Sequence, residues 1–367
     1  MRTLSLWLAA GVLSAAQSAQ KPPLTTLMYM VNRADAIADF QAHAGLTSII
    51  APQTFSMDAQ GFVMGEVPAE VMRTAREMGI AVMPLVVNRG FNQPLMHTVL
   101  DAPESRARAI RYLLYYALRD GYIGFQFDYE NIHYTYRDKF TVFFREAARA
   151  FHRHGLQLSA AIVGRKNATR NAGSPGGWDN WSGVYDYAEL GKYADFLSIM
   201  AYDEHGSSTD PGPVAGLPWV RAISEYSAKT IPPRKVSLGV PFYGRQWEAV
   251  GGGKWRSRST RYRDASAAMA MAESRWDEKE SSPHLSFDAA GHRTELWYED
   301  ARSLRAKLQL ARKMGFPGVS AWALGQEDPA FWTSLESWRV RHPRAGVATG
   351  TFDERSRRAA RMLPRGM

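Results

Sequence analysis

The chain has 367 residues, no cysteine and a formal charge of +9, with 45% apolar and 22% charged residues. Disulfide scaffolds, thiolate metal sites and thiol nucleophiles are thereby excluded, while the apolar share is ample for a packed core. The basic excess favours anionic partners or surfaces, yet no zinc-ligand spacing or RNA-binding aromatic motif accompanies it, so nucleic acid is not an expected partner.

Taken in order, Met1-Arg2 is followed by the apolar run LSLWLAAGVL and the small residues SAAQSAQ. This is the layout of a secretory leader and predicts a signal peptide over residues 1–19, with a secreted or periplasmic mature protein. No later run is long and apolar enough to span a bilayer. From residue 24 onward, strand-like and helical runs alternate. Thr25 to Asn32, Ser48 to Ser56 and Ala81 to Asn88 read as the first three strands, each followed by a helix. A loop with Gly90, Phe91 and Pro94 precedes the third helix, Glu104 to Asp120. GYIGFQFDYEN, Gly121 to Asn131, is the fourth strand. Leu156 to Gly164, Asp195 to Asp203, Lys235 to Gly244 and Gly318 to Gly325 are the remaining four. One stretch breaks the rhythm. Residues 248–297, between the seventh strand and its helix, read as a small α+β insertion with a hairpin about Gly291. Residues 343–367 form a basic tail.

Eight strands alternating with eight helices predict a parallel α/β fold, the (β/α)8 TIM barrel, over residues 24–342. A doubly wound sheet would place a Gly-rich phosphate loop after the first strand, and none is there. GGGK at Gly251 to Lys254 lacks the Walker spacing and reads as a turn. The domain is expected to act as a monomer.

The fourth strand is two-faced. Successive strand residues alternate between faces, so Phe125, Phe127 and Tyr129 share an apolar face and Gln126, Asp128 and Glu130 share a polar one. A parallel strand buried on both faces should read apolar throughout, so the acids must face a cleft or the mouth of the barrel. Active sites of such barrels sit at the C-terminal ends of the strands. That filter selects Asp128 and Glu130, Tyr202 and Asp203, Tyr243 and Arg245, and Trp322, with Gln53, Phe55 and Asn88 at the ends of the second and third strands. No metal-ligand spacing and no nucleophile elbow appears, so no metal or cofactor is expected. Paired acids beside aromatics fit glycoside hydrolysis best. Asp128 and Glu130 have Cα atoms about 6.6 Å apart by strand rise. At that distance one carboxylate raises the other's pKa and keeps a proton available for a leaving oxygen. No second carboxylate is placed to face Glu130 across the cleft, which opens the substrate itself as a source of the nucleophile.

GYIGFQFDYEN resembles the DGxDxDxE signature of glycoside hydrolase family 18, the chitinase family. LSAAIVG, FLSIMAYDEHG, KVSLGVPFYGRQW, LWYEDARSLRAKL and GVSAWALG follow in that family's order. The likeness covers residues 24–340 and is nearest to the branch of spore-cortex-lytic N-acetylglucosaminidases and di-N-acetylchitobiase. It implies substrate-assisted retaining hydrolysis of β-1,4-linked N-acetylglucosamine polymers, chitin or peptidoglycan. It further implies Glu130 as general acid/base, Asp128 as the acid orienting the acetamido group, and Tyr202 as the phenol bonding that group's carbonyl. Asp203 is implied as an adjoining substrate-binding acid and Trp322 as the aromatic floor. Two positions depart from the signature: Ile123 and Gln126 stand where the family has Asp. Gln126 cannot share a proton as an acid would, but an amide there can hydrogen-bond Asp128. A catalytically weak sugar-binding protein of the same fold is the alternative, and retention of Glu130 speaks against it.

Overall fold

The computed structural model describes residues 25–170 and 177–339. The expected leader and basic tail lie outside those residues.

Strand β1 (Thr25–Met30) is buried at every position but its first, as a strand covered on both faces should be. Helix α1 (Ala34–His43) returns to β2 (Ile49–Met57), which pairs parallel with β1 and folds back antiparallel into β3 (Val63–Gly65). After α2 (Ala69–Met78), the third barrel strand comes in two pieces, β4 (Ala81–Val82) and β5 (Leu85–Val87). The single strand expected over Ala81 to Asn88 is interrupted at Met83 and Pro84. Proline has no N–H for a ladder, and here its carbonyl accepts from Gln126 N at 3.0 Å. The loop expected before the next helix holds a helix of its own, α3 (Gln93–Asp101), capped by the Asn92 side chain, which accepts from Leu95 N at 2.9 Å.

Helix α4 (Pro103–Asp120) begins with Pro where an N–H would have no partner and ends at Gly121 in the left-handed region, φ 76°. It delivers the chain to β6 (Gly124–Asp128). A Cβ on Gly124 would lie 1.8 Å from the Gln157 carbonyl oxygen, so only glycine lets β6 come this close to its neighbour. Helix α5 (Arg137–Arg153) buries Phe140, Phe143, Phe144, Ala147, Ala148 and Phe151 at three- and four-residue spacing against the outer face of the barrel. Next come β7 (Gln157–Val163), α6 (Tyr187–Tyr193), β8 (Phe196–Met200), α7 (Leu217–Thr230) and β9 (Val236–Pro241).

The run Lys235 to Gly244, expected as one strand, divides at Phe242. Its second part begins β10 (Tyr243–Gly251) of a five-stranded antiparallel sheet. That sheet continues through β11 (Lys254–Arg261), α8 (Tyr262–Ala268), β12 (Arg275–Asp277), β13 (Ser282–Ala289) and β14 (His292–Trp297). It has its own small core of Ala265, Ala268, Leu285, Leu296 and Tyr298. It is tied to the barrel rim by Tyr262 N donating to Gln326 O at 2.9 Å and by an Arg261–Asp35 ion pair at 2.7 Å. Helix α9 (Ala301–Lys313) then leads to β15 (Gly318–Trp322), which pairs with both β9 and β1 and closes the ring of eight parallel strands. Helix α10 (Ala330–Arg339) is the last described element.

Candidate active site

The C-terminal ends of the barrel strands open into a pocket of about 280 Å³. Of the residues selected from the sequence, Gln53, Asp128, Glu130, Tyr202, Asp203, Tyr243 and Trp322 line it, whereas Phe55, Asn88, Gln126 and Arg245 do not. Gln126 lies beneath it inside the barrel, and Arg245 lies on β10 and reaches the site only through Asp203, at 3.4 Å.

Asp128 ends β6 and is 5% exposed. Burial pushes its carboxyl up from 3.8 to about 6, offset in part by a 3.3 Å hydrogen bond from the Gln53 amide. Glu130 follows the strand, partly buried. Burial first, then the nearby Asp128 and Asp203 charges, hold its carboxyl well above the usual glutamate value. Both shifts favour one proton held by the pair over two charges side by side.

Gln126 is fully buried, and its amide is committed elsewhere than expected. Its Oε1 accepts from the Tyr29 phenol at 2.7 Å, while Nε2 donates to Ser159 Oγ at 2.8 Å and Ser198 Oγ at 3.1 Å. Ser198 continues to Ser320 at 2.8 Å and Ser320 to Ser237 at 2.6 Å. With both amide hydrogens engaged, Gln126 has no donor left for Asp128. The amide thus knits β1, β6, β7 and β8 together at the centre of the barrel, where a carboxylate would carry an uncompensated charge. Gln126→Leu is expected to lower stability by roughly 1–3 kcal/mol, because it takes a hydrogen-bond partner from three buried hydroxyls; chemical denaturation measures this. Ile123, the other departure from the signature, sits just before β6 and packs on the barrel-bottom cluster of Leu27, Ile49 and Ala81, with its N–H donating to Val82 O at 2.9 Å.

The Tyr202 phenol has its pKa raised well above 10 by burial, with Tyr29 and Tyr243 contributing, so it stays a hydrogen-bond donor across the physiological range. Asp203 has left-handed backbone, φ 63°, which turns its carboxylate to accept from Tyr243 Oη at 2.8 Å. Trp322 packs against Tyr29 with ring centroids 5.4 Å apart and forms one wall, and the peptide bond that follows it is cis.

Of Trp178, Trp181, Trp247 and Trp297, Trp181 lines the pocket, making an edge contact with Phe91 at 5.3 Å. Trp247 is fully buried and donates to Thr209 O at 3.1 Å, and Trp297 stacks on His284 at 4.4 Å. Trp178 packs beneath the Arg165 guanidinium at 5.0 Å. Tyr29 and Phe91 were not selected from the sequence. Tyr29 sits mid-strand in an otherwise apolar run, where a phenol reads as core. Among the described residues no group of three His, Cys, Asp or Glu is placed to hold a metal ion.

An eight-stranded barrel with a carboxylate pair, a phenol and a tryptophan at its mouth defines a glycosidase-type site. The chain belongs to glycosyl hydrolases family 18, whose model matches residues 28–327. Two Bacillus subtilis (strain 168) proteins are similar to it. Uncharacterized glycosylase YvbX is 28% identical over 292 residues, 78% of this chain and 83% of that protein. Cortical fragment-lytic enzyme is 30% identical over 252 residues, 68% of this chain but only 57% of the relative. A chitinase from Chromobacterium violaceum ATCC 12472 superposes with a TM-score of 0.78 at 28% identity, over 86% of this chain and 98% of that one. The spore cortex-lytic enzyme SleL of Bacillus megaterium QM B1551 shares the fold, with a TM-score of 0.80 at 20% identity over 90% and 77% of the two chains.

Proposed function

We propose that the protein is an exported hydrolase of β-1,4-linked N-acetylglucosamine-containing glycans, acting by substrate-assisted retention. The observation that carries this reading is the placement of Glu130 and Asp128 side by side on the pocket wall, where burial and the Asp128 charge disfavour ionisation of Glu130. Among the described residues the one other carboxylate lining that pocket, Asp203, is engaged by Tyr243 and Arg245. A two-carboxylate retaining enzyme needs a nucleophile facing its acid at about 5–5.5 Å, whereas the substrate's own acetamido group can serve instead. Glu130 gives its proton to the glycosidic oxygen as the bond from that oxygen to C1 breaks. The acetamido carbonyl oxygen bonds C1 and forms an oxazolinium, whose positive charge the Asp128 carboxylate stabilises. Glu130, now ionised, takes a proton from water as that water opens the ring at C1 with retention. Tyr202 donates to the acetamido oxygen, Asp203 binds the adjoining sugar hydroxyls and Trp322 floors the cleaved sugar. Export rests on the leader-like residues 1–19, and the formal charge of +9 favours anionic peptidoglycan over neutral chitin.

The test is incubation of the purified protein with chito-oligosaccharides and with purified peptidoglycan, reading new reducing ends. Cleavage of peptidoglycan in preference to chitin is the expected result. Binding of either glycan without cleavage of any would sink the enzyme reading in favour of a sugar-binding protein.

A further inference from the structure

Three consecutive carbonyls beyond β6 accept hydrogen bonds from side chains rather than from a neighbouring strand. Tyr129 O accepts from the buried Tyr185 phenol at 2.8 Å, Glu130 O from Asn88 Nδ2 at 2.7 Å and Asn131 O from Gln93 Nε2 at 3.2 Å. The parallel ladder between β5 and β6 ends with Val87 opposite Asp128, so Glu130 has no strand partner. Asn88 is the next residue beyond that ladder and is 1% exposed. Its amide supplies both halves of the missing rung, because Oδ1 also accepts from Glu130 N at 2.9 Å. Immediately afterwards Asn131 turns into the left-handed region, φ 53°, a conformation that costs a non-glycine residue energy and persists only where its surroundings hold it.

We propose that Asn88 is the positioning residue for Glu130. It fixes both polar groups of the Glu130 backbone, so that the carboxyl stays in its desolvated place beside Asp128 and keeps its proton. The proposal rests on the reading of Glu130 as proton donor. A carboxamide presents one donor and one acceptor side by side to match a peptide N–H and C=O; an ionised aspartate offers no donor and alanine neither group. Gln93 and Tyr185 flank this contact, but the carbonyls they hold belong to Asn131 and Tyr129, and neither bonds the Glu130 peptide itself.

The test combines a readout that needs no substrate with one that does. Glu130 is followed by carboxyl 13C NMR through a pH titration, with its signal assigned by its absence in Glu130→Gln, in the wild-type protein and in Asn88→Ala. Loss of the clamp lets water reach the carboxyl, so the Glu130 midpoint is expected to move down towards the ordinary glutamate value in Asn88→Ala. On chito-oligosaccharides, kcat is expected to fall about 10²-fold, the scale set by a misplacement of roughly 1 Å, with KM changed less than about threefold and the alkaline limb of the pH–rate profile moved down alongside the midpoint. Where Asn88→Ala does not fold, Asn88→Asp has the same shape and keeps the bond to Glu130 N. Its added carboxylate moves the midpoint up by charge alone, so in this variant kcat decides: a fall of about 10²-fold is expected, and an unchanged kcat overturns the proposal. An unmoved Glu130 midpoint in folded Asn88→Ala overturns the proposal whatever the activity. A midpoint moved down in Asn88→Ala, in a protein that cleaves neither glycan, upholds the positioning and sinks only the glycosidase reading.

Discussion

Glu130→Gln is expected to lower kcat by roughly 10²–10⁴-fold, the range that a positioned proton donor contributes, with KM and the unfolding temperature little changed. Glutamine has the shape of the side chain it replaces but no proton to give to a leaving oxygen. The fold should not suffer, because the position is held through its backbone by Asn88 rather than through the carboxyl. The carboxyl it removes is one whose ionisation burial and the Asp128 and Asp203 charges already disfavour. Reducing-end release from chito-oligosaccharides beside thermal unfolding decides the matter. A variant that keeps more than about a tenth of the wild-type rate would remove Glu130 from the proton-donor role, since so small a loss is below what general acid catalysis supplies.

The polar face of β6 was legible in the sequence because the strand period of two is rigid. Once Phe125 and Phe127 are placed on the core side, Gln126 and Asp128 have nowhere to go but the other. The alternation does not say how far along that face the barrel ends, and the answer separates Gln126 from its neighbours. Gln126 lies below the mouth and belongs to a hydroxyl network drawn from β1, β7 and β8, residues up to 97 positions away in the chain. Arg245 falls on β10 rather than at the end of a barrel strand for a related reason. Lys235 to Gly244 is apolar enough to read as one strand, while the change of direction at Phe242 is set by packing against Phe331 and Trp332 near the chain's other end. Asn88 was visible at the end of its strand, but its partner is a backbone peptide 42 residues on, and backbone carries no side-chain signature. The long loops gave the least. Trp181 and Trp247 both sit among glycines and polar residues, and only the folded chain tells a pocket wall from a buried anchor.

Asp128→Asn is expected to cost activity and to add stability, with the added stability confined to pH above the ordinary aspartate range. In the proposed mechanism an amide cannot balance a developing oxazolinium, so kcat should drop by about 10²-fold or more, as when a preorganised electrostatic partner is lost. The folded-state pKa of Asp128 lies at about 6, above its ordinary 3.8, so the folded protein holds this proton more tightly than the unfolded chain does. Stability therefore falls as pH rises between those two values, and above about 6 the ionised group costs the fold roughly 3 kcal/mol at 1.36 kcal/mol per pH unit. Asparagine has no such charge, and its side-chain oxygen can still accept from Gln53. The variant should match the wild type near pH 4 and exceed it by up to about that amount at pH 7 to 8. The same substitution removes one of the charges that holds the Glu130 proton in place, so any residual activity should lose its alkaline limb at lower pH than in the wild type. Denaturant unfolding of both proteins at pH 4 and pH 7.5 supplies the measurement. A stability difference that is the same at both values would mean that the buried charge of Asp128 is relieved by something other than its proton, and the one-proton description of the pair would have to be given up.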